Sequence, residues 1–150
     1  MTGTGDLPRA LAEIVDDFGD LAPNERLQLL LEFSGSLPEL PEKYAAHPEL
    51  LEQVPECQTP LFLITEVSGS GPDAVVRLHF SAPAESPTTR GFAGILHEGL
   101  SGLTAAEVLA VPSDLTERLP LADVVSPLRL RGLSAMLARI KRQVRERTAA

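Results

Sequence analysis

Residues Leu61–Phe80 read LFLITEVSGSGPDAVVRLHF, and this stretch decides the fold. Leu61 to Val67 is apolar and β-branched, with side chains suited to both faces at its start, so it reads as a strand. Ser68-Gly69-Ser70-Gly71-Pro72-Asp73 is turn chemistry. Ala74 to Phe80 then alternates: Ala74, Val76, Leu78 and Phe80 point inward, and Val75, Arg77 and His79 point outward. The two runs predict an antiparallel hairpin with a polar outer face. A lone hairpin is marginal in water, so helices must cover one side, and a third strand is expected from the chain after residue 110.

The flanking segments are helical. Before the hairpin, Leu11, Ile14, Val15 and Phe18 recur at helical spacing between Pro8 and Gly19. A second helix is expected from Pro23-Asn24 to Ser34-Gly35, burying Leu27, Leu30, Leu31 and Phe33. Leu37 to Pro60 carries five prolines, a long connection of the kind that is often functional. After the hairpin, Phe92, Ile95, Leu96 and Leu100 form one stripe, with Gly91 and Gly94 allowing close backbone approach and Gly99 and Gly102 ending the segment. Thr104-Ala105-Ala106-Glu107 is a capping box that opens a short helix. Ser113–Leu119 has room for one more turn. Ser126-Pro127 starts a long last helix with Leu130, Leu133, Met136, Leu137, Ile140 and Val144 on its apolar face. Helices, hairpin, then helices make an α+β domain, not a run of alternating β-α units.

The 150 residues fit one domain, 1–150, with residues 1–6 as a flexible leader. At 43% hydrophobic and 23% charged the balance is globular, and 11 glycines with 13 prolines fall below the level of low-complexity disorder. A net charge of −8 has the wrong sign for nucleic acid. The basic run Arg139–Arg147 reads as the solvated end of the last helix, whose cations suit its dipole, or as a small docking zone. No apolar run approaches the ~20 residues needed to span a bilayer, and the N-terminus lacks a signal-peptide pattern. A single cysteine forms no internal disulfide, so the reducing cytoplasm is the expected compartment. The sequence leaves monomer and homodimer both open.

Cys57 is the first candidate for chemistry. It sits in the proline-rich connection, after Val54-Pro55-Glu56 and before Gln58-Thr59-Pro60, where rigid strands can present a thiol. A lone cysteine is more often an inert small hydrophobe, and that alternative stands beside the reactive one. A cysteine hydrolase would need a placed histidine, and no protease signature surrounds His47, His79 or His97. The histidines and the cysteine lack zinc-ligand spacing, so no metal is expected. Gly69-Ser70-Gly71 lies between strands and is a hairpin turn, not a phosphate loop. Phe18, Phe33, Phe62, Phe80 and Phe92 read as core, whereas Tyr44, in the proline-rich stretch, has no place in that pattern.

Four motifs occur in order around the cysteine: Leu37-Pro38-Glu39-Leu40-Pro41-Glu42, Val54-Pro55-Glu56-Cys57-Gln58-Thr59, Arg90-Gly91-Phe92, and Ser126-Pro127-Leu128-Arg129-Leu130-Arg131-Gly132-Leu133. Together they resemble the SufE family, sulfur acceptors for cysteine desulfurases in iron–sulfur cluster assembly. The likeness runs over roughly residues 8 to 145. It implies an α+β fold shared with scaffold-type sulfur and cluster carriers, a small sheet of about three strands covered by helices. It also implies that Cys57 accepts a persulfide. Glu56, Gln58, Thr59, Arg90 and Arg129 would bind the partner or support the loop, Arg129 by anchoring the loop or touching the partner. The implied partners are a cysteine desulfurase, which carries its own pyridoxal phosphate, and an iron–sulfur cluster scaffold. No cofactor would be held stably by this chain, which would activate the desulfurase without being an enzyme itself. The alternative is a diverged interaction module that binds a desulfurase or scaffold with Cys57 incidental. The sequence departs from the family at Glu56 in place of glycine, Thr59 in place of serine, and Pro60 in place of a residue that is usually glutamine. Glu56 puts a negative charge beside the thiol, which disfavours thiolate unless Arg129 or a partner cation compensates.

Overall fold

The hairpin forms as read. In a computed structural model that describes residues 7–148, Phe62–Ser68 (β2) pairs antiparallel with Val75–Ser81 (β3), in a register running from Phe62 opposite Ser81 to Ser68 opposite Val75. The leader expected over residues 1 to 6 lies outside the described residues. Side chains alternate across the pleat, so Leu63, Thr65 and Val67 share the core face with Phe80, Leu78 and Val76.

The third strand does not come from the chain after residue 110. Glu52–Gln53 (β1), inside the proline-rich stretch, pairs antiparallel with β2, giving the order β1-β2-β3. The other edge of β3 is already occupied. Val76 N–H donates to the Leu103 carbonyl (2.8 Å), and the Gly102 and Ala105 N–H groups donate to the Val76 and Ala74 carbonyls (2.6 and 2.8 Å). Those bonds satisfy the edge from the loop that follows the central helix, so no later strand is needed.

Among the described residues seven α-helices accompany the sheet: α1 (Arg9–Gly19), α2 (Pro23–Ser36), α3 (Glu42–Ala45), α4 (Pro87–Leu100), α5 (Ala105–Leu109), α6 (Leu115–Arg118) and α7 (Pro127–Thr148). Thr104 and Glu107 close the expected capping box at α5. α4 lies at the centre, packed on α1, α2, α7 and β3. Its glycines set its distance from α2: a Cβ on Gly91 would stand 2.6 Å from the Leu30 carbonyl oxygen, and one on Gly94 only 2.3 Å from that of Phe33. Gly99 does not end this helix but lies within it against Leu11.

This close approach also fixes which face of α2 is buried. Leu30 and Ser34 turn to α4, while Leu27 and Leu31 flank the contact and remain 39% and 38% exposed, contrary to the expected stripe. Nor is the outer face of the hairpin simply polar. Tyr44 and Leu51, from the proline-rich stretch, bury Ile64 there, with Leu40 and Phe62 packed around them. The prolines therefore build a covering strap over the sheet, which gives Tyr44 its place.

α7 crosses the edge of β2 where the two-residue β1 stops. Gln143, buried on α7, accepts from the Thr65 N–H (2.7 Å) and donates to Glu52 (2.9 Å). A side-chain amide here takes over from the strand that has ended, which explains a polar group in the apolar face of α7.

Candidate functional site: the Cys57 turn on the last helix

Between β1 and β2 the chain makes one tight turn, Pro55–Cys57. Val54, fully buried, anchors it on one side by donating to the Leu61 carbonyl (2.9 Å), and the Cys57 N–H donates back to the Val54 carbonyl (3.1 Å). Proline fixes φ at the start of the turn. Gln58 closes it at φ 59°, ψ 14°, the only residue other than glycine with positive φ among the described residues. A side chain held in that left-handed conformation costs on the order of 1 kcal/mol and persists only where the surroundings impose it.

The thiol of Cys57 is half-buried against α7. Gly132 makes room for it: a Cβ there would lie 3.0 Å from Cys57 Sγ and 3.3 Å from its Cα. Burial pushes the Cys57 thiol up to about 11, the adjacent Glu56 carboxylate adds to the effect, and Arg139 partly opposes it. At pH 7 the resting thiolate is then on the order of one molecule in ten thousand.

The cation facing the turn comes from α7. Arg139 Nη2 stands 3.1 Å from Glu56 Oε1, and its Nε lies 3.3 Å from Glu52 Oε2. Glu52 is held further by Arg142 and by Gln143. Burial works against its charge, but the Gln143 and Arg142 hydrogen bonds win and keep its carboxyl below the ordinary range.

The other residues singled out in the sequence separate into three places. Glu56 belongs to the turn and faces Arg139, and Gln58 is exposed beside the thiol. Thr59 and Arg129 line a cleft of about 480 Å³ together with Leu27, Ser86 and Ser126. Thr59 Oγ1 is buried with no hydrogen-bond partner among the described residues. Arg129 itself is exposed, and the compensating charge expected of it is supplied by Arg139 instead. Asp123, six residues before Arg129, pairs with Arg26 (3.7 Å). Arg90 supports the proline-rich stretch from below, donating to the carbonyls of Ser34 (3.0 Å), Leu37 (3.3 Å) and Ala82 (2.7 Å).

The sequence places Arg139 only in the basic run of the last helix and Gly132 only within the motif that opens it, and it does not single out Glu52. The one available signal was the seven-residue spacing from Gly132 to Arg139, which puts both on one face of a helix. Among the described residues, no three His, Cys, Asp or Glu side chains gather in a way that could hold a metal ion, and no helix is long and apolar enough to cross a membrane.

A half-buried thiol on a proline-bounded turn, seated on a glycine of the last helix, brings two of the four motifs into contact. The family model for SufE, described as an Fe-S metabolism associated domain, matches residues 12–144. The chain belongs to the SufE family. An uncharacterized SufE-like protein of Mycobacterium tuberculosis is 57% identical over 146 residues, covering 97% of this chain and 99% of that one. An uncharacterized SufE-like protein of Rhizobium etli is 29% identical over 143 residues, covering 94% and 93% of the two chains. Among solved structures, the solution structure of a hypothetical protein from Thermus thermophilus matches with a TM-score of 0.82 and 39% identity, covering 96% of this chain and 99% of that one. The SufE fold, a three-stranded antiparallel sheet with helices around it, is therefore the fold of this chain, and its family role lies in iron–sulfur metabolism.

Proposed function

We propose that this chain is a sulfur acceptor: Cys57 takes the outer sulfur of a cysteine-desulfurase persulfide and passes it on for iron–sulfur cluster assembly. The observation that carries this reading is Cys57 itself, the chain's only cysteine, held half-buried on a strained turn in a SufE-family fold. In the transfer, Cys57 loses its proton and the thiolate attacks the terminal sulfur. The donor's S–S bond breaks, a new S–S bond forms on Cys57, and the donor cysteine leaves as a thiolate that takes up a proton. No external oxidant or reductant is needed. The pyridoxal phosphate that generates the donor persulfide belongs to the desulfurase, and this chain needs no cofactor of its own. Such a thiol carrier belongs in a reducing compartment, the cytoplasm, and hands its sulfur to a cluster scaffold.

Incubation with a pyridoxal-phosphate desulfurase and L-cysteine, followed by intact-protein mass spectrometry, tests the proposal. A gain of one or more sulfur atoms, reversed by reductant and absent in Cys57→Ser, is the expected result. One observation favours a second reading, a non-catalytic module that docks on a desulfurase or scaffold: the Cys57 sulfur is half-buried beside the Glu56 carboxylate, and burial and that charge both favour the protonated thiol, a poor nucleophile at rest. Undiminished binding by Cys57→Ala, with no sulfur adduct on the wild type, would establish that module and overturn the acceptor.

A further inference from the structure

Arg139 stands two helical turns beyond Gly132 on α7. Side chains on a helix lean toward its N-terminus, so this long one reaches back toward the Cys57 turn. Its guanidinium is shared. One edge donates to Glu56 on the turn, and Nε, which makes no hydrogen bond, faces Glu52 on β1 as an ion pair at 3.3 Å. Glu52 is fixed from the other side by Arg142 and Gln143, so the Arg139 head is clamped between a rigid carboxylate and the residue next to the thiol. A planar, permanently charged guanidinium can donate to one carboxylate while its charge faces a second, which a lysine ammonium does less well. The charges that act on the thiol are these same two groups, Glu56 from its own turn and Arg139 from α7, with opposite signs.

We propose that Arg139 is a positioning residue shared between Glu56 and the Cys57 sulfur: in the free protein the two glutamates hold its guanidinium, and a cationic side chain of the docking protein that draws Glu56 away releases that charge to the sulfur. The inference rests on the sulfur-acceptor reading and adds to it the chemistry of the partner's contact. When Glu56 turns to the partner, the charge nearest the thiol changes from carboxylate to guanidinium. The thiol proton leaves to solvent, and the thiolate forms at the moment a donor persulfide is present. In the free protein the thiol stays protonated and resists stray oxidants and alkylators.

The test is the rate at which iodoacetamide alkylates Cys57 between pH 7 and 9, read by intact mass on the full chain. The rate follows thiolate fraction in this range. Glu56→Gln is expected to react roughly three- to tenfold faster than wild type, and Arg139→Gln slower by a similar factor. Opposite signs are the decisive feature. If the bridge were merely a pin holding the turn on α7, cutting it from either end would expose the thiol, and both variants would react faster. Two accelerations, or two unchanged rates, overturn the proposal. Arg139→Lys keeps the charge without the fork and is expected to fall between wild type and Arg139→Gln. It carries the same arm of the test should the glutamine variant not fold. Because alkylation needs no desulfurase, the two readings fail separately. Opposite signs without any sulfur gain from a desulfurase would remove the acceptor and leave Arg139 in control of the thiol. Sulfur gain with equal signs would do the reverse.

Discussion

Gly132 is the residue on which the thiol rests, and its replacement weighs two opposed effects. Alanine is better than glycine in a helix interior by up to ~1 kcal/mol. Against that, its Cβ would meet Cys57 Sγ at 3.0 Å and Cα at 3.3 Å, closer than packed atoms tolerate. Overpacking of this kind costs about 1–3 kcal/mol. Gly132→Ala is therefore expected to lose about 1 kcal/mol net in urea unfolding and to alkylate faster at Cys57 as the turn lifts from α7. A variant that is more stable with an unchanged alkylation rate would show that the thiol does not depend on this notch. At this scale, Cys57 was legible because residue type and the flanking prolines announce it. Arg139 was not: its tie to Glu56 spans 83 residues, and hydropathy patterning along one helix cannot report a contact with a distant turn. An arginine in the middle of a long helix looks the same whether it meets water or a carboxylate.

Between elements, Arg90 joins the end of α2, the start of the proline-rich strap and the chain leaving β3 through three backbone carbonyls. A charged donor to a buried acceptor is worth more than a neutral one, and each carbonyl left bare costs its own desolvation. Arg90→Met, which keeps the aliphatic stem, is expected to lower stability by about 2–3 kcal/mol, read as a lower urea midpoint at unchanged slope. A midpoint within error of wild type would show that water replaces all three bonds. The element scale also shows where patterning stops informing. The seven-residue strands and the long helices carry enough periods to be read from the sequence. β1 has two residues and no period, so its place in the sheet follows only from Val54 meeting Leu61 and from Gln143 covering Thr65. The buried face of α2 was misassigned for a related reason, since Gly91 and Gly94 on another helix choose which side of α2 can approach.

For the molecule as a whole, charge enters twice, once inside the fold and once in its encounters. Inside, Glu66 on β2 clasps the strap to the sheet: Lys43 Nζ lies 2.5 Å from Oε2, Tyr44 Oη donates to the same oxygen at 2.6 Å, and His79 approaches Oε1 at 3.4 Å. Lys43 and Tyr44, by their hydrogen bonds, hold the Glu66 carboxyl down at about 2. The folded value lies below the unfolded one, so the stabilisation is present above the ordinary glutamate range near 4.5 and is lost as pH falls toward 2. Lys43 is 61% exposed, which screens the pair, so Glu66→Gln is expected to cost roughly 1–2 kcal/mol at pH 7. The difference between wild type and variant should shrink as pH falls through about 2 and vanish below it, and a difference independent of pH would assign the cost to packing instead. Outside, the chain carries a net charge of −8 and the turn its own Glu56, so a docking protein that presents cations would be drawn toward Cys57. Long-range attraction of that kind acts on encounter more than on residence. It fades as added salt shortens the screening length from about 10 Å at 0.1 M toward 3 Å at 1 M. Raising sodium chloride from roughly 0.05 to 0.5 M should therefore slow association with a cysteine desulfurase about tenfold and change dissociation little. Unchanged association over that range would mean that apolar contact through the exposed Leu27 and Leu31 governs docking, and that the acidic surface serves solubility alone.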